Sequence, residues 1–316
     1  MVGALIVGIT SLLISCNQPT ETKNAQPAPV DSNAVDTTSA PVQPRPLIQR
    51  RAPDSAISFR MVSRKKWMAA NDSLLRDSMN YRKLLAVNRI DSSFILQKDS
   101  ILVPSDFSAG YEFYFPFPLS VPAVREIKKI IFFSYPTQSF GAYENGDLVY
   151  AGPTNMGRRK DLTPSGLFYT NWKAEETKST FNDEWQLRWN FNIENKLGIG
   201  WHQYAMPGYP ASHSCLRLLE WDARYLYDWA DQWILDKNEN VVAKGTPVIV
   251  YGEYNFKGRR PWLALAKDSL ALAIRPGQLD SLVTPVLPEI KNAQMIREQR
   301  LQQADKAKGG KADSLK

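Results

Sequence analysis

The stretch that decides the fold is IIFFSYPTQSFGAYENGDLVY, residues 130–150. It contains runs of aromatic and β-branched residues, which favour β-strands, at residues 130–134 and again around Phe140. Asn145-Gly146 then precedes a third apolar run, Leu148-Val149-Tyr150. An Asn-Gly pair between two such runs is typical of a tight hairpin turn. The stretch therefore predicts strands joined by a hairpin at the start of a mainly β domain.

Other segments extend this pattern along the chain. Further strands are predicted within residues 166–172 and 185–193, and a closing strand at 247–251. One helix is predicted, beginning near Leu218, because large apolar residues recur every three to five positions: Leu218, Trp221, Leu226, Trp229 and Trp233. Asp222 places an acidic group near the start of that helix, which its dipole favours. The fold class expected is a β-sandwich or mixed sheet capped by this helix.

The start of the chain has the composition of an export signal. Residues 2–15 are mostly apolar and too few for the roughly 20 residues of a membrane-spanning helix. Leu13-Ile14-Ser15-Cys16 resembles a bacterial lipobox, which predicts a signal peptide at 1–16 and a lipid anchor on Cys16. No Lys or Arg precedes the apolar run, so an ordinary cleaved signal with an incidental cysteine stays open as the alternative.

Composition also divides the rest of the chain. Residues 17–57 are rich in Pro, Ser, Thr, Ala and Gln, which predicts a disordered tether. Residues 58–107 predict a small helical unit. The end of this unit is similar to the second half of a LysM-type wall-binding module, although no first strand is evident. The other interpretation is a plain helical lead-in packed on the main domain. The main domain is expected at 108–255. Residues 256–316 form a C-terminal extension to which no chemistry is assigned, ending in a disordered tail or a solvated helix.

Charge and cysteine usage exclude several classes of protein. The net charge of +7 favours anionic partners, but no nucleic-acid-binding motif is present, so nucleic acid is not expected as a partner. The chain has two cysteines, Cys16 and Cys215, which excludes a disulfide framework. An unpaired thiol in an oxidising compartment is either reactive or buried.

The chemistry is concentrated in residues 198–218, GIGWHQYAMPGYPASHSCLRL, which hold both histidines and the internal cysteine. A thiol attacks acyl groups as the thiolate, so a neighbouring imidazole or helix N-terminus has to favour loss of its proton. The helix predicted after Cys215 would place its dipole and free N–H groups beside that thiol. Cys215, His202 and His213 could also bind a metal, and structural burial is a third possibility, but no paired metal-ligand spacing is present. We therefore expect a thiol nucleophile, with no metal and no cofactor.

This segment resembles the active-site signature of the L,D-transpeptidases, whose catalytic domain is of the YkuD type. Residues 208–218, GYPASHSCLRL, match the pattern Gly-x-Pro-Ala-Ser-His-Gly-Cys-x-Arg-[Leu/Met] with one departure, Ser214 in place of glycine. A second element, GPTNMG at 152–157 followed by Thr163-Pro164-Ser165-Gly166, is similar to the strand end and Thr-Pro-x-Gly turn of that family. The resemblance covers about residues 128–253.

The resemblance implies an enzyme that acts on peptidoglycan stem peptides, with Cys215 as nucleophile and His202 as base. It also implies that the backbone carbonyl of Gln203 orients the His202 ring. Loop or oxyanion support is expected from Ser214, His213 and Gln203, and substrate binding from Arg217, Ser212, Tyr204 and Gly200. The acyl acceptor is an amine in a 3→3 transpeptidase and water in a carboxypeptidase or wall hydrolase with the same nucleophile. A non-catalytic wall-binding lipoprotein is a further alternative, and all of these place the chain in the bacterial envelope, facing the periplasm.

Glycine at position 214 would permit a positive φ angle, which serine tolerates poorly. If the loop requires that conformation, Ser214 costs about 1–2 kcal/mol and could misplace an oxyanion donor.

Overall fold

The computed structural model describes residues 52–53, 55–178 and 186–313, with side chains up to residue 306. The predicted signal peptide, Cys16 and nearly all of the predicted tether lie outside these residues. Within the described ranges, no helix combines the length and apolar character needed to cross a membrane.

The chain folds mainly into β-strands arranged in several sheets. The described strands are β1 (Phe59–Ser63), β2 (Ser100–Pro104), β3 (Ile130–Ser134), β4 (Ser139–Glu144), β5 (Asp147–Pro153), β6 (Gly166–Tyr169), β7 (Lys173–Lys178), β8 (Gln186–Glu194), β9 (Ile199–Gln203), β10 (Leu216–Leu218), β11 (Ile234–Leu235), β12 (Val241–Ala243) and β13 (Pro247–Tyr251). The described α-helices are α1 (Arg64–Ala70), α2 (Asp72–Leu75), α3 (Ser78–Asn88), α4 (Ser92–Ile95), α5 (Glu220–Trp229), α6 (Pro276–Val283) and α7 (Leu287–Asp313).

Two sheets form the main domain. The larger has the order β5-β4-β3-β13-β6, in which β3 and β13 are parallel and the other neighbours antiparallel. The smaller has the order β10-β9-β8-β7, in which β9 and β10 are the parallel pair. Two-stranded sheets are formed by β1 with β2 and by β11 with β12. The mainly β class and the mixed sheets expected from the sequence are confirmed.

Strand β3 explains where the core lies, because both of its faces are buried. Ile131 and Phe133 belong to the core that the larger sheet shares with the smaller one, where Phe133 lies 6.3 Å from Trp201 between ring centroids. Ile130 and Phe132 point the other way, into a second core completed by Leu279, Val283 and Ile290 of the C-terminal helices. Since side chains alternate across a strand, a strand covered on both faces has an uninterrupted apolar sequence. Part of the C-terminal extension thus closes the core of the main domain.

The hairpin predicted at Asn145-Gly146 joins β4 to β5. Both turn residues have positive φ angles, 48° and 84°, as a type I′ turn requires. A Cβ atom on Gly146 would lie 3.0 Å from the carbonyl oxygen of Val121, so glycine is also needed for space.

Helix α5 begins later than predicted. Leu218 is the last residue of β10, and the helix runs from Glu220 to Trp229. Residues 216–218 are held in the sheet by parallel pairing with β9, so Leu218 ends a strand and does not begin the helix. A strand therefore follows Cys215 directly, and the expected helix N-terminus beside that thiol is wrong, because the effect of a helix dipole is confined to its first turn.

The N-terminal unit contains a strand that the sequence did not reveal. Strand β1 pairs antiparallel with β2, and α1–α4 lie between them in the chain. Its sequence, FRMVS, lacks a clear apolar alternation because the strand is largely exposed. The unit packs against the main domain, since Met206 and Leu219 join its apolar cluster. Asp91 and Met206 also exchange hydrogen bonds through Asp91 N–H (3.1 Å) and Met206 N–H (2.7 Å).

Candidate active site

Two parallel strands bring the predicted nucleophile and base together. Cys215 immediately precedes β10, and His202 lies in β9, where it is paired with Arg217. The same register pairs Trp201 with Leu216, the residue after Cys215. The loop that carries the thiol therefore ends beside the strand that carries the imidazole.

His202 is held in a neutral form suited to accept a proton. Its side chain is 4% exposed, and Nδ1 lies 3.0 Å from the backbone oxygen of Gln203. This is the hydrogen bond expected from the sequence; when Nδ1–H donates to that carbonyl, Nε2 is left with a free lone pair. Burial lowers the pKa of His202 to about 4; the Gln203 carbonyl opposes this shift, and the Arg217 charge adds to it. The ring is therefore neutral at neutral pH.

Cys215 is half-buried, and its Sγ lies 3.8 Å from the carbonyl oxygen of Gly198. Burial raises the pKa of the thiol, while a backbone hydrogen bond from Gly200 and the charge of Arg217 oppose the shift. The resting thiol is therefore protonated at neutral pH.

Gly200, predicted to bind substrate, has a packing role. It is buried, and a Cβ atom there would lie 2.3 Å from the backbone oxygen of Phe191 on β8. Glycine is required for the close approach of β8 and β9, which brings the Gly200 N–H to the thiol. A contact between Gly200 and substrate stays a prediction.

Ser214 adopts the conformation that glycine would favour. Its φ angle is 79°, so the departure from the family pattern falls on a position that requires the left-handed region. The Ser214 carbonyl accepts a hydrogen bond from Thr163 Oγ1 (2.8 Å), and Thr163 Oγ1 itself accepts one from the N–H of Gly157 (2.9 Å). Thr163 therefore holds the peptide group between Ser214 and Cys215.

Replacement of Ser214 by glycine is expected to stabilise the fold by about 1 kcal/mol, because it removes the left-handed strain. The gain is less than the full strain because glycine also increases the entropy of the unfolded chain. Denaturant unfolding of the purified chain measures it. Ser165→Gly is the matched control: Ser165 is exposed and is not among the positive-φ residues, so this change should destabilise the fold or leave it unaltered. Equal effects of the two substitutions would contradict strain at Ser214.

Ser212 supports the loop, and its predicted contact with substrate stays a prediction. It is 1% exposed, and its hydroxyl donates to the backbone oxygen of Cys215. Its N–H donates to Met156 (3.1 Å), and its carbonyl accepts from the N–H of Arg158 (3.0 Å). Because these hydrogen-bonding groups already have partners inside the protein, the Ser212 side chain holds the backbone at Cys215 in place.

Arg217 and Tyr204 lie next to His202. The guanidinium of Arg217 donates to the carbonyl of Ala205 (3.1 Å) and lies 4.6 Å from the centre of the Tyr204 ring. The Tyr204 ring meets His202 edge to face at 5.8 Å. Both side chains are half-buried, so they support the loop, and their predicted contact with substrate stays a prediction.

His213 lies at a more accessible position than His202. It is half-buried, and partial burial, with the nearby charge of Arg158, lowers its pKa. Its predicted role in shaping the pocket stays a prediction.

Asn155 is a positioning residue that sequence reasoning missed. Its Oδ1 accepts a hydrogen bond from the N–H of Gly208 (3.1 Å). Gly208, whose φ is 83°, begins the nucleophile loop, residues 208–215, which ends at Cys215. Its Nδ2 donates to the backbone oxygen of Arg89 (3.2 Å), and its backbone exchanges two hydrogen bonds with Arg217. Asn155 and Thr163 both lie in the second element recognised in the sequence, but short polar residues near a turn give no sign of their distant partners.

In the described part of the chain, no three His, Cys, Asp or Glu side chains converge to form a candidate metal site.

Part of the chain matches a known protein family. Residues 128–250 match the family model of the L,D-transpeptidase catalytic domain, YkuD. No curated protein matches the chain.

Solved L,D-transpeptidases are among the similar structures. One from Stackebrandtia nassauensis is 23% identical, with 40% of this chain and 57% of that chain covered and a TM-score of 0.33. One from Mycobacterium tuberculosis H37Rv is 20% identical, covering 40% and 58%, with a TM-score of 0.32. L,D-transpeptidase 3 from Mycobacterium tuberculosis, in complex with a faropenem-derived adduct, is 19% identical, covering 40% and 60%, with a TM-score of 0.31. The chain thus spans a little under three fifths of the first of these proteins, at 57%.

Proposed function

We propose that this chain, whose residues 128–250 match the L,D-transpeptidase catalytic domain, is a peptidoglycan L,D-transpeptidase that uses Cys215 as its nucleophile. The observation that carries the proposal is the parallel pairing of β9 and β10, which sets a buried, neutral His202 beside the strand that follows Cys215. Thiol-dependent acyl transfer requires a neutral imidazole within reach of the thiol, and this strand pairing supports that arrangement.

The reaction begins when the Cys215 sulfur attacks the carbonyl carbon of the third residue of a stem peptide. His202 takes the thiol proton as the carbon–sulfur bond forms. The tetrahedral oxyanion then collapses, the bond to the terminal D-amino acid breaks, and His202 returns the proton to the departing amine. A thioester remains on Cys215.

An amine from a neighbouring stem peptide resolves the thioester. It attacks the thioester carbon, His202 accepts its proton, and the sulfur leaves and is reprotonated. The product is a 3→3 crosslink. Water in place of the amine gives a shortened stem peptide, the product of the carboxypeptidase or hydrolase alternative.

The loop geometry supports an oxyanion donor at Cys215. In a trans peptide the carbonyl and N–H groups point in opposite directions. Because Thr163 binds the Ser214 carbonyl, the Cys215 N–H points away from Thr163, in the opposite direction within that peptide plane. A backbone N–H fixed in this way can stabilise a developing oxyanion without reorganising during the reaction.

A carbapenem tests whether Cys215 is an activated acyl acceptor. We expect intact-mass spectrometry of the full chain carrying Cys16→Ser to show one covalent adduct, since Cys215 is then the sole thiol. The adduct should map to Cys215 and be absent from the same chain with Cys215→Ala. A folded chain without an adduct, or an adduct that survives Cys215→Ala, would contradict the proposal.

The same protein incubated with a stem tetrapeptide separates the possible acceptors. A crosslinked dimer identifies a transpeptidase, and a monomer lacking its last residue identifies a carboxypeptidase. Binding to peptidoglycan with neither product would favour the non-catalytic alternative.

We also propose that the protein is a lipoprotein of the bacterial envelope, anchored through Cys16 and facing the periplasm. Support comes from the apolar run that ends in a lipobox-like sequence and from a composition typical of a tether after it. Metabolic labelling with a tagged fatty acid should mark the wild-type chain and not Cys16→Ser. Equal labelling of the two would rule out this anchor.

A further inference from the structure

Arg89 is a buried cation outside the Cys215 site. It is fully inaccessible, caps the end of α3, and has a left-handed backbone with φ 55°. Its Nη1 donates to the carbonyl of Val87 (2.8 Å) and its Nε to that of Thr137 (3.3 Å). The guanidinium also lies 5.4 Å from the ring centre of Trp262. Carbonyls at a helix C-terminus and an aromatic face partly stabilise the charge.

One end of this guanidinium lacks a partner. Within the described residues, Nη2 is buried with no hydrogen bond, and Arg89 forms no ion pair with a carboxylate. Burial lowers the pKa of Arg89 to about 9, with the Tyr111 hydroxyl opposing the shift. Buried charges in proteins are normally paired, because an unpaired donor in a region of low dielectric constant is costly. An anion would supply the missing partner.

Arg89 lies among the residues that line a cavity of about 280 Å³. The other lining is largely apolar and includes Ile57, Phe59, Phe113, Phe115 and Leu272. Leu270, also in the lining, is 72% exposed and marks the side that opens to solvent. An apolar pocket with one convergent charged group is the usual form of a small-molecule site.

We propose that this cavity binds an aliphatic monocarboxylate, whose alkyl chain lies against the apolar wall. Its carboxylate pairs with Arg89 once the lining side chains that now close Nη2 off from solvent move aside. A carboxylate matches the fork of a guanidinium and supplies the acceptor that Nη2 lacks. A free phosphate would leave the apolar wall unused. A peptide would bring backbone amide groups into the cavity, where the apolar lining offers few hydrogen-bond partners. Burying these amides without partners is unfavourable.

Calorimetric titration of the full chain carrying Cys16→Ser tests the site with hexanoate, octanoate, decanoate and dodecanoate. Affinity is expected to rise about fourfold for each added methylene until the cavity is full. Each acid should bind at least tenfold more tightly than the alcohol of equal length, because the alcohol cannot pair with the guanidinium. Equal affinities for acid and alcohol, or no binding of decanoate at 1 mM, would overturn the proposal.

Two substitutions at exposed leucines locate the site without disturbing the buried arginine. Leu270→Glu puts a negative charge at the opening and should weaken decanoate binding at least tenfold, with a smaller effect on decanol. Leu96→Glu, at a leucine that is 61% exposed in the N-terminal unit and outside the cavity lining, is the matched control and should bind decanoate as the parent does. Equal affinities in the two variants would place the binding elsewhere. Arg89→Lys, assayed if circular dichroism shows that it folds, should reduce the preference for acid over alcohol.

Discussion

Replacing His202 by glutamine is expected to slow acylation of Cys215 by about 10²–10⁴-fold, the usual contribution of a general base. The thiol is protonated at neutral pH because burial raises its pKa, so the attack needs a group that removes the proton. His202 is the imidazole on the paired strand, and its Nδ1 is occupied by the Gln203 carbonyl. Glutamine has a similar size but cannot accept a proton at the relevant pH.

The rate of carbapenem adduct formation, followed by intact mass, measures this effect. His213→Gln is the matched control, because His213 is the other histidine of the chain and lies in the nucleophile loop. We expect the His213 variant to lose less than tenfold. A larger loss from His213→Gln than from His202→Gln would assign the base to His213.

The pH dependence of the same rate provides an independent check. Because the pKa of His202 is about 4, the ring stays able to accept a proton as pH falls to about 5. With the thiol pKa raised, the acylation rate should be nearly constant from pH 5 to pH 8 and decline as pH falls through about 4. A rate that climbs tenfold per pH unit between pH 6 and pH 8 would instead indicate direct attack by the thiolate without a base.

The second large effect concerns a buried carboxyl group on α5. Asp222 is fully buried; its Oδ1 accepts hydrogen bonds from the hydroxyls of Tyr150 (2.7 Å) and Tyr111 (3.5 Å). Burial raises its pKa from 3.8 to about 8, although these hydroxyls and the charge of Arg82 oppose the shift. Asp222 is therefore largely protonated in the folded chain at neutral pH and ionised in the unfolded chain.

This difference predicts that stability falls as pH rises between about 4 and 8. In that window the folded state binds a proton that the unfolded state has lost, so the free energy of unfolding decreases by up to about 1.4 kcal/mol per pH unit. Above pH 8 both states are ionised and the contribution levels off. Asp222→Asn should remove this slope whatever constant offset the new amide introduces.

Urea unfolding at several pH values compares the slopes for the parent and for Asp222→Asn. Asp228→Asn on the same helix is the matched control, because Asp228 is not among the buried residues of α5; its substitution should leave the slope intact. If the parent and Asp222→Asn respond equally to pH, the carboxyl is already ionised in the folded state.

The hairpin, the strand pattern and the candidate site residues could be predicted from sequence because each depends on neighbours along the chain. The turn at Asn145-Gly146 needs two positive φ angles, and asparagine and glycine adopt such angles readily. Cys215, His202 and Gln203 were identified from a motif, and the His202–Gln203 hydrogen bond joins adjacent residues. The possible strain at Ser214 could also be anticipated, because the conformational cost of a side chain there is a local property, and the φ of 79° confirms that the position is left-handed.

Pairing between distant segments determined the rest, and no local pattern reports it. Leu218 begins the helical pattern in the sequence but ends a strand, because β9 offers hydrogen bonds to residues 216–218, and β1 forms because β2 lies beside it. The hydroxyl of Ser212 resembles a ligand-binding group in the motif, yet the fold turns it onto the Cys215 carbonyl. Arg89 would be expected at the surface from its type. It is buried instead where α3, residues 137–138 and Trp262 pack around it. Only the tertiary structure shows that its charge lacks a partner.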